Sequence, residues 1–261
     1  MAEPSTILLR DDVDGIATLT LNRPDQRNAL SRGLMTALED QLDGIARDPS
    51  VKIVIIAGTG PAFCAGHDLR EVRADPRREA YEALFAQCSR LMLKIVRLAK
   101  PVIARVQGVA TAAGCQLVAS CDLAVAAHSA RFATPGVNIG LFCSTPMVAL
   151  SRAVPRKQAM EMLLTGDLIT ADRAREIGLI NRIVPAAELE SATLELARQI
   201  ASKSPLTLAI GKEAFYAQAE LDLEAAYAYA SGVMTRNMLA RDAAEGIDAF
   251  LAKRAPEWTG E

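Results

Sequence analysis

Two short segments rich in small residues carry the backbone groups of this 261-residue chain that are best placed to do chemistry. One is Phe63–Asp68, which follows the apolar run 51–57, and the other is Gly108–Gln116, which follows the run 101–106. Each predicts a strand-to-helix turn, where the first N–H groups of the helix lack a partner. Two such turns at one pocket would supply two convergent N–H donors, which is what a developing oxyanion such as a thioester enolate requires.

The elements that must position these turns alternate between strand and helix. Apolar periodicity predicts an N-terminal strand, then a helix that begins after an N-cap at Ser31. The nearly uniform apolar strands favour an α/β core with parallel strands covered on both faces. In chain order we predict a strand at 15–21, a helix at 31–47, a strand at 51–57, a helix at 78–99, a strand at 101–106, a helix at 113–120 and a strand at 122–126.

From about Pro155 the pattern is mainly helical, and its last stretch, after the break at Ser204-Pro205, carries no strand signal. We predict helices at 156–164, 170–177 and 188–202, then, after the break at Ser204-Pro205, at 206–218, 223–238 and 241–253. The sequence therefore predicts a core of residues 1–203 and a C-terminal helical segment of residues 204–261. The Ala- and Met-rich faces of that segment are suited to packing against another subunit.

Composition excludes several classes of protein. A net charge of −2 argues against nucleic acid as a partner, and no apolar run approaches the roughly 18 residues of a membrane span. The five cysteines are odd in number and lack paired spacing, which argues against a metal site and for a reducing compartment. The N-terminus shows no signal-peptide pattern, so we predict a cytoplasmic protein.

The motifs of the chain, taken in order, resemble the crotonase superfamily, the enoyl-CoA hydratase/isomerase family. Ala110–Asp122 and Phe132–Gly136 are similar to one subgroup, the enoyl-CoA hydratase domain-containing protein 3 type. The other motifs are Leu21–Pro24, Asn28–Leu30, Phe63–Leu69, Lys100–Ala104, Gly108–Cys115, Cys121–Ala124, Gly166 with Ala171, and Gly178–Ile180.

The resemblance implies a spiral of repeated ββα units with a C-terminal helical oligomerisation segment. It also implies assembly into trimers, commonly paired as hexamers. The implied ligand is an acyl-CoA thioester, in which coenzyme A is part of the substrate, and no separate cofactor is expected.

By motif position, the resemblance assigns the oxyanion-hole N–H groups to His67 and Ala113. Relatives usually have glycine at the second position, and alanine is a mild change there if its φ is negative. The two catalytic glutamates of typical hydratases fall on Gln116 and Gly136. Neither residue can exchange a proton at a useful pKa, so the usual acid/base chemistry is in doubt.

Several side chains near the turns have a chemical and a structural interpretation. Cys143 and Ser144 are the best substitutes for the missing carboxylates, although such residues more often cap a helix or line a wall. We favour a backbone role for His67, a packing role for Cys115 and a capping role for Asp68 over catalysis. Gln116 is left open between orienting a water or carbonyl and completing a pocket wall.

The resemblance also predicts the residues that contact the ligand. They are Arg27, Asn28, Ala29, Leu30, Ala65, Gly66, Asp68, Leu69 and Lys253. Lys253 resembles a C-terminal basic residue that reaches the ligand of a neighbouring subunit.

We therefore predict an acyl-CoA-binding protein of the enoyl-CoA hydratase/isomerase class, a lyase of fatty acid metabolism, that stabilises a thioester enolate. The alternatives are a catalytically impaired or regulatory acyl-CoA-binding protein, and a crotonase-type thioesterase or isomerase. The sequence gives neither the acyl chain nor the reaction.

Overall fold

The computed structural model describes residues 6–261. Its strands are β1 Leu8–Val13, β2 Ile16–Leu21, β3 Ile53–Gly58, β4 Ala62–Cys64, β5 Val102–Val106, β6 Val109–Thr111, β7 Leu123–Ala127, β8 Arg131–Ala133, β9 Ile169–Thr170 and β10 Arg182–Val184. Its α-helices are α1 Arg32–Arg47, α2 Leu69–Ala74, α3 Arg78–Arg97, α4 Ala113–Ser120, α5 Pro146–Ala153, α6 Arg156–Thr165, α7 Ala171–Glu176, α8 Leu189–Ala201, α9 Pro205–Gln218, α10 Leu223–Met238 and α11 Arg241–Leu251.

The main sheet has the order β1-β2-β3-β5-β7-β10, and only the β1–β2 pair is antiparallel. Alternate residues of its central strands enter two separate cores. Val54 and Ile56 of β3 pack in the core that contains α1 and α3, whereas Ile53 and Ile55 pack against α8. The predicted α/β core with a sheet covered on both faces is therefore confirmed.

A second, four-stranded sheet has the order β4-β6-β8-β9. The sequence pattern predicts β4 and β6 only as parts of small-residue turns, because three-residue strands show no alternation. The pairing is long-range: Ala62 faces Val109, and Val109 faces Arg131. Only the tertiary fold brings these segments together.

Two short strands lie in the mainly helical part of the chain after Pro155, and the sequence pattern did not predict them. The two-residue β9 pairs with β8, and the three-residue β10 pairs with β7. The turn between β1 and β2 is short. Asp11 and Asp12 belong to the exposed edge strand β1, and the turn is made at Asp14 and Gly15, with φ of 53° and 77°.

Helix boundaries follow the predictions closely where local capping sets them. Ser31 accepts a hydrogen bond from Leu34 N at 3.1 Å and so caps α1. The helix α4 spans 113–120, as predicted. Its N-cap residue Ala112 makes no side-chain capping hydrogen bond, so the start of α4, which borders the candidate site, does not depend on a local cap.

The C-terminal helices form a layer with little core of its own, since neither α9 nor α10 has a buried residue. Lys212 fixes α9 to the main sheet. Its Nζ lies 2.7 Å from Asp122 and also donates to the carbonyls of Ile95 and Lys100. The boundary near residue 204 stays a prediction. Within residues 6–261, no helix has the length and hydropathy needed to cross a membrane.

Candidate active site at the ends of three parallel strands

Three strands of the second sheet, β4, β6 and β8, run in parallel and therefore end at the same edge. Residues 65–68 and α2 follow β4, whereas Ala112 and α4 follow β6. Thr134 and a short 3₁₀ helix, Pro135–Ile139, follow β8. The segments predicted to do chemistry thus lie side by side at the carboxyl edge of one sheet.

The first two turns are in van der Waals contact. Gly66 has φ of +94°, and a Cβ on it would lie 2.9 Å from Ala112 Cβ and 3.3 Å from Ala113 N. The Thr111 hydroxyl donates to the Ala65 carbonyl at 3.2 Å across the same junction. Glycine is therefore required at position 66, and its turn lies next to the start of α4.

The backbone at the start of α4 is unusual. Ala112 has φ of 50° and ψ of −119°, a region that L-residues with a side chain rarely adopt, and its N–H donates to Ala133 O. Ala113 is the first residue of the helix and does not have a positive φ. Alanine at position 113 is therefore a mild change from the family's glycine, whereas the strained alanine beside it was not predicted. The N–H of Ala113 has no partner within the helix.

Segment 27–30 pairs with the first turn through its backbone. Ala65 N donates to Arg27 O at 3.0 Å and Leu30 N donates to Gly66 O at 2.7 Å. The Asp68 N–H in turn donates to Leu30 O at 3.2 Å. Leu30 therefore bonds to the residues on either side of His67, and this pairing leaves the His67 N–H unused.

Two predicted ligand contacts are occupied by structural hydrogen bonds. Asn28 is fully buried, and its amide bonds to Arg23 N, Thr59 O and Ala62 O, each at 2.8 Å. The Asp68 carboxylate caps α2 by accepting from Arg70 N and forms a 3.0 Å salt bridge with Arg23. Burial by itself would raise the pKa of the Asp68 carboxyl. The hydrogen bonds from Arg23 and Arg70 outweigh burial and lower that pKa below its usual value.

The side chain of His67 is turned toward α3. Its ring lies edge-on to Phe85, with centroids 5.7 Å apart, and neither ring nitrogen has a partner among the described residues. Burial lowers the pKa of His67, so the ring is neutral at pH 7. The contact between His67 and α3 was not anticipated from the sequence.

Gln116 also faces α3. The residue is 4% exposed, and its Oε1 lies 3.8 Å from the Sγ of Cys88. Burial raises the pKa of the Cys88 thiol to about 12, so Cys88 is a protonated donor. Because His67 meets Phe85 and Gln116 meets Cys88, three residues further on, one stretch of α3 borders both turns.

Gly136 leaves no room for the missing carboxylate. A Cβ on Gly136 would lie 2.5 Å from the Leu141 carbonyl oxygen and 2.9 Å from Cys143 Sγ. The 141–143 segment thus fills the space that a side chain would need. A carboxylate is therefore excluded at this position by the neighbouring backbone as well as by the residue type.

The geometry argues against the proposed substitutes. Cys143 is buried, which raises the pKa of its thiol and keeps it protonated. Ser144 is exposed, and its hydroxyl donates to Phe142 O at 3.3 Å. Burial raises the pKa of Cys115 to about 12 as well, in agreement with a packing role.

The remaining predicted ligand contacts differ in burial. Ala29 and Leu30 are buried, Ala65 is half-buried, and Leu69 is 51% exposed at the start of α2. Lys253 follows α11 and is exposed, and its reach toward a neighbouring subunit stays a prediction.

Comparison with known proteins places this fold and these motifs in a family. Residues 11–261 match the enoyl-CoA hydratase/isomerase family. The chain belongs to that family. It is 49% identical to the human enoyl-CoA hydratase domain-containing protein 3, mitochondrial, over 95% of this chain and 82% of the relative.

Solved structures agree with the family assignment. An enoyl-CoA hydratase of Mycobacterium smegmatis superposes with a TM-score of 0.95 and is 54% identical, covering 97% of this chain and 99% of that one. The crystal structure of the human domain-containing protein 3 gives a TM-score of 0.94 at 47% identity, over 97% and 100% of the two chains. The predicted crotonase fold and subgroup are confirmed.

The predicted cytoplasmic location is contradicted, because the similar human, mouse and rat proteins are mitochondrial. Our prediction rested on cysteine usage and on the lack of a secretory pattern. Unpaired cysteines indicate a reducing environment and do not distinguish one reducing compartment from another.

Proposed function

We propose that this protein binds acyl-CoA thioesters and stabilises the thioester enolate between the N–H groups of His67 and Ala113. The observation that supports the proposal is the contact of the two turns, in which Gly66 approaches the Ala113 nitrogen. Each N–H is left free by its own element, His67 by the pairing with Leu30 and Ala113 by its position in α4. Such preorganised donors stabilise negative charge that develops on a carbonyl oxygen.

We further propose that the hydratase reaction is slow. Hydration of an enoyl thioester needs a group to activate water and a group to protonate the α carbon. The positions of the family's two glutamates hold the neutral amide of Gln116 and the side-chain-free Gly136. The buried thiol of Cys143 and the exposed Ser144 do not replace them, because neither is an acid or base of suitable pKa.

Binding without efficient turnover is therefore the second candidate function. It is favoured by one specific observation, the 141–143 backbone that closes the space beside Gly136. A thioesterase that uses Cys143 is less well supported, because a protonated, buried thiol is a poor nucleophile.

The protein is also proposed to self-associate through its C-terminal helices. Large apolar side chains on α10 and α11 are exposed in the single subunit, among them Leu223, Tyr227 and Phe250. Large apolar side chains left exposed in a single subunit are typical of a subunit interface. The assembly proposed is the trimer or hexamer that the family resemblance implies.

A substitution that removes one donor tests the oxyanion hole. Ala113→Pro deletes the N–H at the first position of a helix, where proline is otherwise tolerated. We expect the dissociation constant of butyryl-CoA to rise about three- to tenfold, the loss of one neutral hydrogen bond, by isothermal titration calorimetry.

The matched control is Arg156→Pro, which places proline at the first position of α6, after Pro155 in an extended conformation. This control should bind like the parent. Near-ultraviolet circular dichroism verifies that both variants keep their tertiary structure. Equal affinities for the parent and a folded Ala113→Pro would contradict the proposed hole.

Turnover of crotonyl-CoA separates slow hydration from an efficient enzyme. Loss of a general acid or base typically costs about 10² to 10⁴ in rate, and such losses are not additive. We expect hydration at least about 100-fold slower than by a hydratase with both glutamates, together with measurable binding. Turnover equal to such an enzyme would show that another group transfers the proton.

A further inference from the structure

Lys212 on α9 is a buried charged side chain that the proposed chemistry does not use. Its side chain is 7% exposed, and its Nζ lies 2.7 Å from the Asp122 carboxylate. The same nitrogen donates to the carbonyl oxygens of Ile95 at 3.0 Å and of Lys100 at 3.1 Å. A buried ammonium requires such partners, because an unpaired buried charge is costly. Lys212 therefore joins α9 to several parts of the core at once.

The two carbonyls belong to the end of α3 and to the connection that follows it. Ile95 lies in the last turn of α3, where the carbonyls have no N–H partner within the helix. Lys100 lies between α3 and β5. A cation at a helix C-terminus also interacts favourably with the helix dipole. Lys212 thus caps α3 from an element that is more than a hundred residues away along the chain.

Asp122 ties the same contact to the main sheet. Its carboxylate accepts from the Tyr216 hydroxyl at 2.9 Å and from Val102 N, at the start of β5, at 2.7 Å. Because α9 has no buried residue, apolar packing contributes little to its docking. Lys212 and Tyr216 are therefore the polar contacts through which the body of α9 holds the junction of α3 and β5.

The other half of α3 borders the candidate site. Phe85 contacts His67 and Cys88 contacts Gln116, and the two α3 residues precede Ile95 by roughly 15 and 10 Å along the helix axis. Apolar packing is non-directional, so hydrogen bonds at the end of α3 are needed to fix its position along that axis. A shift at this end moves both contacts, because a helix of this length moves as one unit.

We propose that Lys212 is a positioning residue of the acyl-CoA site, which it reaches through α3. Docking of α9 holds the end of α3, and α3 in turn holds the contacts beside His67 and Gln116. Among residues 6–261, the hydrogen-bond partners of Lys212 all lie outside the site, so its removal acts on binding only through α3. The inference rests on the proposed function and adds a dependence of that same site on the C-terminal helices.

Calorimetric titration with butyryl-CoA tests this dependence in Lys212→Met, which keeps the length of the side chain and removes the ammonium. We expect the dissociation constant to rise about two- to thirtyfold, the range typical of residues that modulate a site without contacting its ligand. Hydrogen exchange in residues 92–97, the end of α3, should become faster in the same variant. Near-ultraviolet circular dichroism verifies that the variant is folded.

Two variants of the same helical layer are matched controls. Glu220→Gln breaks the exposed 3.0 Å ion pair between Arg152 and the segment after α9, and leaves Lys212 untouched. Tyr216→Phe removes one bond to Asp122 but leaves the ammonium on the α3 carbonyls. Both should bind butyryl-CoA with the affinity of the parent. A loss in Glu220→Gln equal to that in Lys212→Met would overturn the assignment to Lys212.

The parent protein provides a second test that does not depend on any variant. Coupling between two regions is reciprocal, so saturating butyryl-CoA should slow hydrogen exchange in residues 206–218 of α9. The slowing should disappear in Lys212→Met and persist in Tyr216→Phe. Unchanged exchange in α9 of the parent would overturn the inference even if Lys212→Met did not fold.

The outcomes distinguish failure of this inference from failure of the proposed function. If the parent and a folded Lys212→Met bind butyryl-CoA equally, Lys212 has only a structural role and the inference is overturned, while acyl-CoA binding stands. If the parent binds no acyl-CoA, the proposed function itself fails, and the inference fails with it.

Discussion

At the scale of single residues, backbone conformation explains more of this site than side-chain chemistry does. The donors proposed for the oxyanion are main-chain N–H groups, and the carboxylates that a hydratase needs are absent from positions 116 and 136. Asn28 and Asp68, predicted as ligand contacts, instead fix the turns that present those N–H groups. The identity of a side chain therefore matters here mainly through the backbone it permits.

Ala112 provides a test of backbone strain. Its φ of 50° and ψ of −119° cost an alanine roughly 1–3 kcal/mol, whereas glycine adopts such values freely. Ala112→Gly should raise the free energy of unfolding by about 1 kcal/mol after the greater entropy of unfolded glycine is subtracted. Urea denaturation measures the change.

The matched control is Ala119→Gly, in the same helix but with a regular helical backbone. It should lower the free energy of unfolding by about 1 kcal/mol. A decrease of similar size in Ala112→Gly would show that position 112 is not strained.

Gly136 provides a test of available space. Glutamates at positions 116 and 136 would raise hydration only if Gly136 had room for a side chain. The structure removes that condition, because a Cβ would lie 2.5 Å from the Leu141 carbonyl oxygen. Gly136→Ala should therefore lower the free energy of unfolding by about 1–3 kcal/mol through overpacking.

For the same reason, Gly136→Glu combined with Gln116→Glu should not reach the hydration rate of a hydratase in a crotonyl-CoA assay. The control for Gly136→Ala is Gly44→Ala, in α1, where a Cβ would meet open space. Its free energy of unfolding should rise by about 0.5–1 kcal/mol. A stable Gly136→Ala protein would mean that the 141–143 segment moves aside.

At the scale of elements, the short strands and the helix junctions organise the molecule. The turns converge because β4 and β6 are parallel neighbours, and α3 closes the site by contacting His67 and Gln116.

A second junction of this kind fixes the C-terminal end of the chain. Asp242 at the start of α11 accepts from Ser204 Oγ at 2.6 Å, Thr259 N at 2.7 Å and Gly260 N at 3.1 Å.

Asp242 should make the stability of this junction depend on pH. Burial opposes ionisation, but the hydrogen bond from Ser204 and those from Thr259 and Gly260 lower the pKa of Asp242. A carboxylate with a lowered pKa stabilises the fold at neutral pH, and this contribution is lost as the pH falls through the folded-state pKa, which lies below the usual value for aspartate.

Asp242→Asn should consequently have a lower free energy of unfolding than the parent at pH 7, and the difference should shrink on acidification toward pH 3. Urea denaturation at a series of pH values measures this convergence. Asp40→Asn, on the exposed side of α1, should follow the parent throughout. Parallel curves for the parent and Asp242→Asn would contradict the assignment.

At the scale of the whole molecule, the single subunit exposes apolar surface that its own core does not use. Leu239 is 83% exposed and Phe250 is 81% exposed, while α9 and α10 bury no residue. We expect sedimentation velocity to show a trimer or hexamer at micromolar concentration. Leu239→Lys combined with Phe250→Glu should shift the protein toward monomer, because buried charge is costly at an interface.

The control for assembly is Leu93→Lys, an exposed leucine on α3 outside the C-terminal helices. It should sediment like the parent. A parent protein that sediments as a monomer would contradict the proposed assembly. Circular dichroism distinguishes dissociation from unfolding in the charged double variant.

The sequence by itself determined the features that depend on neighbouring residues. The cap at Ser31, the bounds of α4, the apolar strands of the main sheet and the family motifs are local patterns, and the structure contains them. The residue types at positions 116 and 136 likewise showed that this chain lacks the two glutamates of typical hydratases.

Only the tertiary structure decided how these parts meet. Strands of two or three residues carry no periodic signal, so the second sheet that aligns the turns is defined by long-range pairing alone. The thiol of Cys88 lies beside Gln116 although the two residues are 28 positions apart along the chain. The strain at Ala112 and the Leu141 carbonyl beside Gly136 depend on backbone conformation, which residue types do not record. Such contacts follow from packing in three dimensions, which no local pattern of residue types records.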